Sequence, residues 1–152
     1  MMLDVYGNEI NEAFQLIYDS VHKVEERMLK TSSNLDLSIS ELDILGAIGK
    51  YKEEGCSISQ IAKEVGVTLP TITVAIQRLE ARGYVEKKKS MEDGRRVNIV
   101  LTKLGKKADA AHRYFHERMV RAFLKEVGED VKPVLLTALQ NLATFLRQMG
   151  DR

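Results

Sequence analysis

The chain has 152 residues, 44% of them hydrophobic, with a formal net charge of +1 and a single cysteine. That length can bury a self-sufficient core, and one cysteine excludes an internal disulfide framework. No apolar run approaches the ~18 residues of a membrane span, and the charged start lacks the apolar centre of a secretory signal, so the expectation is a cytoplasmic protein with no membrane partner.

From Ile10 to Met28 the apolar residues Ile10, Phe14, Ile17, Val21, Val24 and Met28 recur at alternating steps of four and three. This spacing predicts one long helix over 9–31, with an apolar seam that needs a partner surface. Ser40-Glu41 is expected to precede a second helix carrying Leu42, Leu45 and Ile48, which stops in the polar stretch Lys50 to Gly55. Ser57 can cap a short third helix with Ile58, Ile61, Ala62 and Val65 facing inward, Gly66 supplying the left-handed turn and Val67 plugging it.

Thr68 is placed to cap a fourth helix, in whose first turn Pro70 is tolerated because its missing amide would have had no intrahelical partner. Ile72, Ala75, Ile76 and Leu79 then point to a core, leaving Pro70, Thr71, Thr73, Val74, Gln77 and Arg78 on the opposite face. A purely structural surface helix would carry Glu and Lys there. Short hydrogen-bonding and methyl-bearing side chains suit base edges instead: Gln can pair adenine, Thr can serve either base, and a methyl can meet that of thymine. This is the pattern of a helix-turn-helix that reads double-stranded DNA.

Gly83 is expected to end that helix, and Tyr84–Lys88 and Val97–Leu101 alternate as two short strands, making the segment between them a wing. Arg95 and Arg96 at its tip can reach phosphates or the minor groove, and Asp93, ill suited to face phosphate, is assigned to orient Arg95 through a charge-assisted pair. Charge agrees with the placement. Residues 78–107 hold ten basic side chains, Lys87, Lys88 and Lys89 among them, against four acidic ones, so this segment is locally +6 and the remainder −5. A polyanion is drawn to one part of such a surface and repelled by the rest.

Thr102 can cap a long helix to about Val127, and after Gly128-Glu129-Asp130 a last helix puts Leu135, Ala138, Leu139, Leu142, Phe145, Leu146 and Met149 on one stripe. The two ends together carry more apolar surface than a small winged domain can cover, which a homodimer on a pseudo-palindromic site would explain. The expected fold is mainly α with a small antiparallel β-hairpin wing. It forms one domain over 1–152, with dimerisation helices at 9–31 and 108–149 and the winged helix-turn-helix at 40–104.

Leu79-Glu80-Ala81-Arg82-Gly83-Tyr84-Val85, Asp93 with Arg95, and Leu101-Thr102-Lys103-Leu104-Gly105 resemble the signature of the MarR family of transcriptional regulators. The resemblance covers essentially the whole chain. It implies an obligate homodimer with interlaced terminal helices, mostly acting as a repressor, whose DNA affinity a small ligand alters. It also implies base or phosphate contacts from Thr68, Thr71, Thr73, Gln77 and Arg78, with Arg95 in the minor groove. Many members carry a basic residue where this chain has Val74, which implies less phosphate anchoring from the helix and more from the wing.

Val24-Glu25-Glu26, Ile48-Gly49-Lys50-Tyr51, Val67-Thr68-Leu69 and Phe115-His116 are similar to the branch that represses fatty-acid synthesis genes in Gram-positive bacteria. That likeness implies an acyl chain on acyl carrier protein as corepressor. Met28, Leu29, Phe115, Met119 and Phe123 are candidate linings of an apolar tunnel for it, or simply core.

His112 and His116, four apart on a helix, suit zinc, with Asp43, Glu25 or His22 as further donors, and a zinc-responsive regulator stays open beside polar surface histidines. Cys56 reads as a semi-buried filler or an oxidation sensor. No nucleophile motif or phosphate loop appears, so neither an enzyme nor a cofactor is expected. Two other classes remain: a winged helix used only for protein contacts, and a non-specific DNA-coating protein.

Overall fold

A computed structural model describes residues 4–31, 36–89, 94 and 96–150 of the chain. Among them the order is α1 (Val5–Thr31), α2 (Ile39–Gly49), α3 (Ile58–Val65), α4 (Leu69–Ala81), β1 (Val85–Lys89), β2 (Val97–Leu101), α5 (Lys103–Lys125) and α6 (Lys132–Gly150). The chain divides into two compact units, Met1–Arg113 and Tyr114–Arg152.

The first unit is built on Leu42, Leu45 and Ile48 of α2, Ile61 of α3, Ile72, Ile76 and Leu79 of α4, and Ile99 of β2, all essentially out of solvent. Burying each such side chain is worth about 1.5–3 kcal/mol, which is what holds these short helices in place.

Their ends are set locally. Ser38, not Ser40, caps α2: its hydroxyl accepts from Glu41 N–H (3.2 Å) while the Glu41 carboxylate accepts from Ser38 N–H (2.9 Å). This reciprocal box starts the helix two residues earlier than the Ser40-Glu41 reading. Ser57 and Gln60 form the same box on α3, which Gly66 ends with φ +74°. Thr68 does occupy the N-cap of α4, but its hydroxyl makes no capping bond and instead lies 2.8 Å from that of Thr71. Val67 does not plug the turn: it is exposed, because Ile61 and Ala62 of α3 already fill the interior there.

The hairpin is antiparallel, with Val85 opposite Leu101 and Lys89 opposite Val97. β1 therefore starts one residue later than the alternation suggested. Cys56 exchanges both backbone hydrogen bonds with Ile99 (3.1 and 2.8 Å), adding a short pairing to the far side of β2.

Phe14 is 44% exposed, and Ile10, Ile17 and Val24 of the α1 seam are likewise open to solvent. In the second unit α6 contributes no buried residue, and Leu139, Phe145, Leu146 and Met149 of its stripe are exposed. Each is an apolar helix face of the kind that a monomeric protein rarely leaves uncovered. No described helix is long and apolar enough to cross a membrane.

Candidate nucleic-acid interface

α4 has one face locked and one free. Ile72, Ile76 and Leu79 are buried and Ala75 packs against them. On the other side Thr71, Val74, Gln77 and Arg78 are exposed, together with Thr68 and Pro70 at the helix start. Thr73 is half-buried, and its hydroxyl donates to Leu69 C=O (2.8 Å), which leaves it an acceptor lone pair and a methyl to present. Beside this face runs an open groove whose walls include Ser38, Ser40, Glu41 and Asp43 from the start of α2 and Pro70, Thr71, Val74 and Arg78 from α4.

The hairpin carries the flanking charge. Lys87, Lys88 and Lys89 are exposed, but two are engaged: Lys87 Nζ pairs with Glu80 (2.7 Å) and Lys88 Nζ donates to Glu53 C=O (3.0 Å). Arg96 is exposed. Asp93 and Arg95 lie outside the described residues. Nearby, the Lys106 ammonium bonded to Glu53 holds that carboxyl below its ordinary range.

The remaining candidates fall in both units. Met28 and Leu29 are half-buried against the core of the first. In the second, Phe115 and Met119 are half-buried and Phe123 is exposed. His112 is not the surface histidine its polar neighbours suggested: it is buried, with Nε2 3.9 Å from Oε1 of the equally buried Glu25 on α1. His116 is half-buried one turn further along α5. Asp43 is exposed, and His22 is exposed beside Glu26.

Cys56 is wholly rather than partly buried, and burial, with the Glu64 charge adding to it, pushes its thiol from the ordinary 9.0 up to about 11. The native thiol is therefore expected to resist alkylation at pH 8 and to react only on denaturation, as a timed iodoacetamide assay would show. Because the folded state holds this proton more tightly than the unfolded one, its contribution to stability is complete below pH 9 and lost as pH rises toward about 11.

In the sequence Arg82 stands out only as one of the ten basic residues of 78–107 and as a member of the Leu79–Val85 string. It stands at the C-cap of α4, donates through Nε to Arg78 C=O (3.3 Å), pairs with Glu41, donates to Asp36 C=O, and lies 5.8 Å from the Tyr84 ring centroid. No local spacing announces a pair 41 residues apart. Ser38-x-x-Glu41, however, is a readable capping signature that would have marked one end of it.

Three helices with a hairpin against them, the last helix docked on one side and free on the other, define a winged helix-turn-helix domain. A family model described as MarR family matches residues 35–96. A Streptococcus pneumoniae FabT structure, solved in complex with DNA, is 35% identical with a TM-score of 0.85, covering 93% of this chain and 98% of that one. The Bacillus subtilis repressor YetL is 26% identical over 92% of this chain and 84% of its own length. The uncharacterized B. subtilis regulator YhjH is 24% identical over 70% of this chain, and the match spans 58% of that protein. The chain belongs to the MarR family of DNA-binding transcriptional regulators. Its relatives are transcriptional regulators, not enzymes.

Proposed function

We propose that the protein is a cytoplasmic repressor that grips a pseudo-palindromic operator as a homodimer, each protomer laying the free face of α4 in a major groove. Thr68, Pro70, Thr71, Thr73, Val74, Gln77 and Arg78 supply the helix contacts. Lys89, Arg95 and Arg96 supply the wing contacts, with Asp93 orienting Arg95, and Lys87 and Lys88 raise the local potential from within their own ion pairs and hydrogen bonds. The observation that carries this reading is the contrast across α4: three fully buried aliphatics on one side, and threonine, valine, glutamine and arginine open to solvent on the other. The exposed apolar faces of α1 and of α6 supply the surface a second copy would cover.

Gln77→Ala is expected to relax preference at one base pair, costing about 1–3 kcal/mol of discrimination there. Competition binding with duplexes permuted at each position measures this, and an unaltered preference profile would reject the assignment of Gln77.

The effector proposed is an acyl chain carried on acyl carrier protein, a reading that rests on the likeness to the fatty-acid branch. Native mass spectrometry of protein purified from its host tests it. A retained acyl species supports the reading, while a retained zinc ion would transfer the effector role to the Glu25 and His112 region.

A further inference from the structure

We propose that Arg82 is a positioning residue for DNA recognition, acting through Glu41 to fix the end of α4 that carries Gln77 and Arg78. The proposal rests on the reading role given to α4 above.

α4 is held from beneath by Ile72, Ile76 and Leu79, and apolar contact is non-directional: it opposes separation far more than rotation about the helix axis. Along the outer side α4 is separated from the start of α2 by the open groove, so the two helices do not clasp each other there. Among the described residues, every hydrogen bond and ion pair joining α4 or its C-cap to the segment that opens α2 comes from Arg82, to Glu41 and to the Asp36 carbonyl.

Both partners are rigidly presented. One Glu41 oxygen takes the guanidinium while the other accepts Ser38 N–H (2.9 Å), so the carboxylate is fixed by the α2 cap. The guanidinium lies within cation–π range of Tyr84, the residue before β1, and the Arg82 and Glu41 side chains are only 30% and 17% exposed. A planar fork on a fixed carboxylate is directional, and a lysine cannot replace its geometry. A small rotation of α4 would move Gln77 and Arg78 relative to a base edge while leaving the core largely unchanged.

The test compares Arg82→Lys, Arg82→Met and Glu41→Gln in the full-length protein, with fluorescence anisotropy on a duplex selected by the wild type and on random duplex, across a range of salt. Arg82→Lys keeps the charge. Glu41→Gln keeps the oxygen that caps Ser38 and removes a negative charge, so electrostatics alone would tighten its DNA binding. Positioning predicts the opposite: each variant loses about tenfold of its preference for the selected duplex, and the double variant is no worse than the poorer single one. The salt dependence keeps its slope, because no phosphate contact is removed.

Unchanged or stronger discrimination in Glu41→Gln would overturn the proposal. So would a slope reduced by about one unit in the Arg82→Met variant alone, which would make Arg82 a direct phosphate ligand. A wild type that prefers no duplex sinks the DNA-reading role and this proposal with it, whereas a wild type that discriminates beside variants that do so equally well sinks only the positioning role.

Discussion

Replacing Val74 with glutamate is expected to abolish duplex binding while leaving the fold untouched. Val74 is 47% exposed on the free face of α4, between Thr71 and Arg78. A carboxylate there would meet the phosphate potential at short range and would also take up the Arg78 guanidinium one turn away. An affinity loss of about 100-fold or more corresponds to roughly 2.7 kcal/mol, against a stability change within about 0.5 kcal/mol for a surface substitution. Anisotropy titration and a thermal melt of the same preparation separate the two. Val74→Glu protein that still binds a selected duplex tightly would remove this face of α4 from the interface.

The second large effect is on stability. Gly105 sits in the first turn of α5, where a Cβ would overlap the carbonyl oxygen of Tyr84. That oxygen accepts Thr102 N–H (3.1 Å) and the Thr102 hydroxyl (3.1 Å), and the same hydroxyl donates to Gly83 C=O (2.6 Å) and accepts Gly105 N–H (3.1 Å). The start of α5 is thus joined to the turn that follows α4, through backbone groups that cannot move independently. Gly105→Ala would gain about 1 kcal/mol in helix propensity but force apart a packed backbone contact costing about 3 kcal/mol, so the packing term wins. The midpoint of thermal unfolding should fall by about 4–8 °C. A midpoint that holds or rises would mean that the turn yields and that the start of α5 is not rigidly tied to it.

These two sites show what the sequence could and could not disclose. The free face of α4 was legible because its pattern is local: Ile72, Ile76 and Leu79 recur at helical spacing, and what lies between them is chemically unusual for a solvent face. The start of α5 at Thr102, the αL glycine at Gly66 and the second strand were legible for the same reason. Leu101-Thr102-Lys103-Leu104-Gly105 could be recognised as a family string, but its physical cause is a backbone approach between residues 84 and 105 that no periodicity encodes.

Arg82 with Glu41 escaped for that reason too, the pair being brought together by packing across a long stretch of chain. Glu25 was legible only as one of three candidate donors beside His112, because no spacing links the two, and packing is what sets it 3.9 Å from that imidazole. The start of α2 was misplaced because Ser38 and Ser40 compete as caps, and only the reciprocal bond to Glu41 decides between them.

On the proposal above, two copies of this chain read a symmetric duplex with α4. Sequencing the duplexes that purified full-length protein retains from a random pool tests this. The expected result is an enriched inverted repeat with half-sites about 10–10.5 base pairs apart, centre to centre. A retained pool no different from the input, or an enriched site without two-fold symmetry, would contradict it.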